Sequence, residues 1–490
     1  MSKVIIIGAG LGGLTAGNLL ARKGHQTTIL ESHTAPGGYV AGFRRQGFYF
    51  ESGTLSFESL ATVQKAMKQL GVLDKIEIIP QHTRLVSDRF DIATSGTFAG
   101  FKQAILAAYP EHQQNLRRYF SEVDKLIRAI EPFMLPDPPW TSYLRGAAVG
   151  AEVLLKYSRT NLGDFTAKYF ERDSELFRLF KNFGYPDMSA LILGGAIISI
   201  FSDYWTIKGG MQSWADALAQ SFTGLGGELK LGTPVEKIIT KKGRAVGVIS
   251  QGASHRANYV ISACDYKNTF LKLLDDQSLI PVRQLEKIKS TQVSEGIFTV
   301  YLGLSIDNRK LAEYMKIPHV SMFDEQPGAD VRNPNDPDFF KKSSVSLYSP
   351  SLINPELAPA GKSCLMLQMV CPHRWMDNWG GGDREKYKNL KDQISQTLIS
   401  KARKLIPDLE KMIEFKEAAT PLTYQRYTGN TDGATSSWSW NPNNKFHKNI
   451  LGTFVETPVK NLLIGSCWAM QIGGIPGAIS AAQKCAKRIK

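Results

Sequence analysis

The chain has 490 residues, of which 43% are hydrophobic and 21% charged, so it has room for two or three domains and a large core and is neither disordered nor fibrous. Lysine and arginine outnumber aspartate and glutamate by 59 to 45, a net charge of +14. The basic residues are scattered and no nucleic-acid module is present, which argues against nucleic acid and leaves an anionic membrane surface open as a partner.

The first stretch organises the rest. Val4-Ile5-Ile6-Ile7 reads as a strand buried on both faces of a parallel sheet. Gly8, Gly10 and Gly13 then fill a G-x-G-x-x-G turn, with Leu11 and Gly12 between them. The first glycine permits the tight turn, the second lets backbone approach a pyrophosphate, and the third lets helix pack on strand. The helix that follows offers free N–H groups and a positive dipole end to phosphates. A second strand ends at Glu31, close to the spacing of about 20 residues expected of a carboxylate that grips a ribose hydroxyl. Strand, turn, helix, strand and acid together predict a dinucleotide site.

After Glu31 and Ser32 come Pro36-Gly37-Gly38-Tyr39-Val40 and, further on, Phe48-Tyr49-Phe50-Glu51-Ser52-Gly53-Thr54. This order of motifs resembles flavoproteins of the phytoene desaturase, carotenoid isomerase and retinol saturase type. The resemblance implies that Gly37, Gly38, Tyr39 and Val40 lie along the FAD pyrophosphate and ribityl, and that the Gly53-Thr54 segment returns beside the flavin. The family usually has Arg or Lys after the glycine pair, where this chain has Tyr39; Arg44 or Arg45 is the replacement at hand.

Further along, Val63 to Leu70 reads as a helix closed by Gly71, and Ile76–Ile79 and Thr83–Val86 as short strands. Residues 111 to 200 read as mostly helical, broken by a loop over Pro132–Trp140, because proline interrupts helices. Tyr143, Leu144, Val149, Val153, Leu154, Leu155 and Tyr157 interleave with Arg145, Lys156 and Arg159. That mixture suits a surface resting on a membrane or admitting a greasy substrate, and equally an ordinary helical cap.

Tyr204 to Met211, a helix from Gln212 to Phe222, and Pro234-Val235 repeat the family order, which implies that the Val235 backbone meets the adenine. Residues Ala245–Ser250 and Arg256–Ile261 read as a hairpin, and Ala257–Ala263 as the chain's return to the nucleotide-binding sheet. Ile297–Leu304, Val345–Tyr348, Cys364–Val370 and Met412–Ala418 read as strands of a mainly antiparallel sheet, with a helix from Asp383 to Leu405 between the last two. Thr423–Ala434 reads as a loop, and the resemblance carries Trp438 and Trp440 onto the substrate side of the flavin, with plain packing of the loop on its own domain as the alternative. At the end, Leu462-Leu463-Ile464-Gly465-Ser466 reads as strand and turn, and Gly473-Gly474-Ile475-Pro476-Gly477-Ala478 opens a last helix. By resemblance Gly465, Ser466, Gly474, Ile475 and Ala478 close the FAD site, and Ser466 replaces the acid that many members use for the ribityl.

The five cysteines are widely spaced and no pair shows metal or redox spacing, which points to a reducing, cytoplasmic setting without a zinc site. No signal peptide is visible before Val4. Met188–Ser202 is the longest notable uncharged run and is shorter than the ~18 residues a membrane span needs; peripheral contact with the membrane face stays open.

The expectation is therefore an α/β protein: a Rossmann-like FAD-binding domain from residues 1–80, 205–290 and 455–490, with a substrate domain of mixed or antiparallel sheet and helical cap from 81–204 and 291–454. The resemblance implies FAD as the cofactor, and no second glycine turn exists for a nicotinamide. The resemblance implies hydride movement at one C–C bond of a long apolar substrate, as desaturase or saturase. A redox-neutral cis–trans isomerase and a lipid-binding non-enzyme like the Rab GDP-dissociation inhibitors are the alternatives. No general acid or base is assigned: Asp203, Asp432, His373 and Arg374 are candidates, and each is more often structural.

Overall fold

The structure, a computed structural model, describes residues 1–134, 140–184, 187–444, 446, 453–470 and 473–490. Its nucleotide-side sheet is wholly parallel, in the order Leu462–Ile464, Tyr259–Ser262, Lys3–Ile7, Gln26–Leu30, Glu228–Lys230. Val4, Ile5 and Ile6 are buried, as a central parallel strand requires. Helices Leu11–Arg22, Met211–Gly224 and Gly474–Arg488 share its core through Leu14, Leu20, Trp214, Leu218, Ile479 and Ala482. Its five strands come from the beginning, middle and end of the sequence, so the cofactor side assembles only when distant segments meet.

A second sheet of seven strands runs Ile413–Ala419, Gly296–Leu304, Ser363–Cys371, Val345–Tyr348, His319–Met322, Thr83–Val86, Asp91–Ala93. All its pairings are antiparallel except that of His319–Met322 with Thr83–Val86. Along Gly296–Leu304 alternate side chains face opposite ways. Phe298, Val300, Leu302 and Leu304 share a core with Ile394, Leu398 and Ile399 of helix Arg384–Ala402. Ile297 and Tyr301 face the other way, toward Phe43, Phe50 and Tyr424. That second face looks onto the cofactor side.

The helical layer packs through aromatic rings, including Tyr119 stacked on Phe180 with centroids 4.3 Å apart. Helix Ala190–Ser202 lies tight on helix Gln113–Met134: a Cβ on Gly194 would stand 2.5 Å from the Leu126 carbonyl oxygen.

Four expectations change. Pro132 does not begin a loop; the helix runs through it to Met134, and its ring fits against Gly146 of the next helix, Trp140–Tyr157. The remainder of the expected loop, 135–139, lies outside the described residues. Thr423 to Thr428 is helical within Pro421–Thr428, where Thr420 and Thr423 form a reciprocal capping box and Pro421 stands at the first turn. The expected hairpin is a three-stranded antiparallel sheet, Val235–Lys241, Arg244–Ser250 and Ala253–Arg256, while Tyr259–Ser262 enters the parallel sheet as expected. Trp438 does not cover the substrate side. It is buried in the nucleotide-side core, stacked on Phe446 at 4.0 Å, and its indole N–H donates to the Trp468 carbonyl at 3.0 Å.

Candidate active site

The glycine turn begins at Gly8, whose φ of +97° is open to glycine and whose N–H donates to the Leu30 carbonyl at 2.8 Å. Gly13 allows the turn to close, because a Cβ there would lie 2.0 Å from the Gly8 oxygen. Gly10 differs: a Cβ on it would meet nothing nearer than the Gly37 oxygen at 4.0 Å. Space is left over this residue, and the helix behind it has no side-chain cap and no acid in its first turn. Its first N–H groups are thus offered to an external anion.

Glu31 stands beside this turn. Oε2 accepts the Ala9 N–H at 2.6 Å, and Oε1 accepts the His33 N–H at 2.9 Å and the Ser32 hydroxyl at 3.1 Å. Val235 is brought to the same end, since the nearby Thr233 N–H donates to the Glu31 carbonyl at 2.7 Å. The glycine pair packs directly on the turn: Gly37 N–H donates to the Ala9 carbonyl at 2.9 Å, and a Cβ on Gly38 would lie 3.3 Å from Gly10 Cα. Tyr39 follows. Its carbonyl accepts the Thr54 N–H at 2.8 Å, and a Cβ on Gly53 would stand 2.4 Å from that same oxygen. Its ring stacks on Tyr424 of helix Pro421–Thr428 and its hydroxyl donates to the Ala434 carbonyl at 2.8 Å, so Tyr39 ties the glycine pair to the segment 421–434.

The C-terminal strand closes the cradle from the other side. A Cβ on Gly12 would lie 2.2 Å from the Gly465 carbonyl oxygen. The Ser466 hydroxyl donates to the Cys264 carbonyl at 2.8 Å, which fixes the turn and leaves only its lone pairs for a ligand. Helix Gly474–Arg488 starts without a side-chain cap or an acid in its first turn, and Ile475 and Ala478 are buried along it. Helix Met211–Gly224 is the contrast, because Glu51 accepts the Met211 N–H at 3.0 Å and the Tyr49 hydroxyl at 2.8 Å. Burial pushes the Glu51 carboxyl up to about 8 against the pull of those two donors. The two uncapped helix starts and the open space at Gly10 are what an FAD requires; when bound, FAD supplies hydride chemistry.

The four candidates for acid or base resolve into structural roles. Asp203 accepts the N–H groups of Ser59 and Leu60 at 2.8 and 3.1 Å and the indole N–H of Trp205 at 2.8 Å. His373 bonds the Asp432 carbonyl at 2.8 Å, and burial holds its imidazole below the usual range. Arg374 is exposed and pairs with the Asp432 carboxylate at 3.3 Å. Among the described residues no group of three or more His, Cys, Asp or Glu side chains could hold a metal, and the five cysteines are free. Sequence reasoning passed over Glu58, whose Oε1 lies 3.4 Å from where a Cβ on Gly474 would stand. The sequence signal was an acid five residues past Gly53, inside the segment that the resemblance returns to the flavin.

Comparison with known proteins agrees with this geometry. The chain is 26% identical over 514 residues to prolycopene isomerase 1 of an Oncidium hybrid cultivar, covering 99% of this chain and 83% of that one. It is 26% identical over 469 residues to the 4,4'-diapophytoene desaturase of Methylomonas sp, covering 91% and 88%, and 24% identical over 527 residues to the all-trans-retinol 13,14-reductase of Danio rerio, covering 98% and 84%. Cyclohexylamine oxidase from Brevibacterium oxydans shares the fold with a TM-score of 0.63 at 13% identity, over 99% of this chain and 98% of that one. The model of the flavin-containing amine oxidoreductases matches residues 11–490. With its glycine cradle intact and its match running almost end to end, the chain is an FAD enzyme and belongs to the flavin-containing amine oxidoreductase family.

Proposed function

We propose that this enzyme moves a hydride at one C–C bond of a long apolar isoprenoid or polyene, as a desaturase or saturase. The observation that carries the reading is the wall facing the cradle. Phe50, Tyr301 and Tyr424 form a buried aromatic cluster with the part-exposed Tyr39 and Phe43 at its rim, and Val370, on an interior strand of the seven-stranded sheet, is 37% exposed beside Ile297. An exposed apolar side chain near the end of an interior strand suits contact with an apolar ligand. The chain's own residues would then hold and shield: Gly8–Gly13, Glu31, Gly37–Val40, Gly53–Thr54, Val235, Gly465–Ser466 and Gly474–Ala478 for the cofactor, and the part-exposed Tyr39, Phe43, Ile297 and Val370 at the rim of the aromatic cluster for the substrate. Residues 1–80, 205–290 and 455–490 are the proposed cofactor-binding unit.

A second reading, redox-neutral cis–trans isomerisation, is favoured by the Oncidium relative, which aligns with 99% of this chain and is named a prolycopene isomerase.

Contact with a membrane face belongs to the same proposal. On helix Trp140–Tyr157 the side chains of Trp140, Leu144 and Leu155 are 71%, 61% and 89% exposed and fall on one stripe. Among the described residues no helix is long and apolar enough to cross a membrane.

The test is to purify the protein, read its flavin spectrum, photoreduce it without oxygen, and supply phytoene or prolycopene. Bond-order change matched by flavin oxidation or reduction supports the first reading. An isomer formed without electron consumption supports the second, and a flavin-loaded protein inert to both polyenes overturns the substrate class.

A further inference from the structure

The segment between Gly53 and the helix Leu60–Leu70 is held with unusual care. Phe57 and Trp205 exchange backbone hydrogen bonds in both directions at 2.8 Å. The Thr206 hydroxyl donates to the Leu55 carbonyl at 2.8 Å. Ser59 lies in the left-handed region, at φ 63° and ψ 50°, and its own side chain caps nothing. That conformation is strained for a non-glycine residue. The structure retains it because Asp203 accepts the N–H groups of both Ser59 and Leu60. Strain of this kind, clamped from outside, gathers where one side chain must be aimed.

The aimed side chain is Glu58. It is directed at the start of helix Gly474–Arg488, with Oε1 3.4 Å from the position a Gly474 Cβ would take. Loss of solvent, and behind it the charge of Asp203, hold its carboxyl above the ordinary range. A half-buried carboxyl with neither cation nor strong donor among the described residues is a poor helix cap and a store of one proton.

We propose that Glu58 is the proton-exchange group of the active site, and that the Asp203–Ser59 clamp is its positioning device. The proposal rests on the reading above, a reaction at a C–C double bond of an apolar substrate. In the step assigned to it, the O–H bond of Glu58 breaks and a C–H bond forms from the π pair at one carbon of the substrate. In the return step the carboxylate removes a proton from carbon and the π bond re-forms. No electrons are gained or lost in either direction, so the exchange serves a saturase paired with hydride delivery and an isomerase without it.

The experiment uses the flavin-loaded protein, as wild type, E58Q and D203N. Infrared difference spectra on photoreduction are recorded first, since they need no substrate. A protonated-carboxyl band that responds to reduction is expected in the wild type, absent in E58Q and displaced in D203N; identical spectra in wild type and E58Q overturn the proposal. Turnover of phytoene and prolycopene in D2O is measured next. With FAD content unchanged, E58Q is expected to lose on the order of 100-fold or more in kcat/KM and its deuterium incorporation into carbon, while E58D recovers part of both. Activity of E58Q within about threefold of wild type overturns the proposal as well, the expected loss from removing a general acid being far larger. If the wild type turns over neither polyene, the substrate reading fails, and the infrared result still decides the place of Glu58.

Discussion

Gly12 and Gly465 meet so closely that a single added Cβ on Gly12 would stand 2.2 Å from the Gly465 carbonyl oxygen. The atom in the way is backbone and has little freedom to move aside. Gly12→Ala is therefore expected to lower stability by about 1–3 kcal/mol and to reduce FAD content. Gly10→Ala has 4.0 Å of clearance to its nearest neighbour, so it should fold normally and lose FAD alone. Melting curves and flavin absorbance of the two variants check this; equal stability loss in both would show the reading of Gly10 to be wrong.

Glu31 accepts three hydrogen bonds at the glycine turn. Glu31→Gln keeps the shape, removes the charge, and turns one acceptor into a donor facing other donors. FAD affinity is expected to fall roughly 10- to 100-fold, in line with the ~1.5–3 kcal/mol of a hydrogen bond to a charged group. Flavin titration of the apoprotein measures it, and an unchanged Kd would remove Glu31 from the cofactor site.

Glu51 carries a pH dependence. Its carboxyl ordinarily titrates at 4.5 and is raised by burial to about 8 in the folded protein. Between those values the folded chain holds a proton that the unfolded chain has released, so this group's stabilising contribution is complete below 4.5 and is lost as pH rises through about 8. The wild-type melting temperature should fall over that window. Glu51→Gln mimics the protonated acid, can still accept from Met211, and should flatten the decline; a decline of equal size in the variant would rule Glu51 out as its source.

The Asp203–Ser59 clamp predicts coupling. Asp203→Asn leaves the left-handed Ser59 with weaker support and should destabilise by about 2–4 kcal/mol, through three weakened charge-assisted bonds. Ser59→Gly relieves the strain and should change stability little, since glycine's greater freedom when unfolded offsets the gain. The double variant should then be more stable than the sum of the two predicts, because the clamp has less strain to hold. Strict additivity in denaturant unfolding would mean that the two residues are uncoupled.

For the exposed stripe on helix Trp140–Tyr157, Leu144→Ser with Leu155→Ser should leave melting unchanged, because both side chains face outward. Partition onto vesicles containing anionic lipid should fall by roughly 10-fold or more as buried apolar area is lost. Equal binding by the double variant would place the membrane contact elsewhere.

The cofactor side was readable because its constraints are local and chemical. Gly8, Gly13 and Gly37 are where they are because backbone geometry admits nothing else, and Glu31 follows from the span of one strand-helix-strand unit. What escaped reading depends on contacts between distant segments. Pro132 looked like a helix breaker, and its tolerance comes from Gly146 on the next helix. Trp438 looked like a lid residue, and only the fold brings Phe446 and Trp468 to its faces. The helix at Pro421 carried its capping signature in Thr420 and Thr423, a signal that the neighbouring glycines and asparagines outweighed. Glu58 was invisible for a similar reason: its significance lies in Asp203 and Gly474, both remote in sequence.

The contact between Gly12 and Gly465 also has a temporal meaning. One wall of the cradle is made early in synthesis and its opposing wall some 450 residues later. A growing chain can form the first turn and helix but has nothing to press FAD against, and the long loop must close before the cofactor gains its full set of partners. Flavin capture is thereby a late event, and bound flavin in a cell extract would count finished, closed molecules rather than chains under construction.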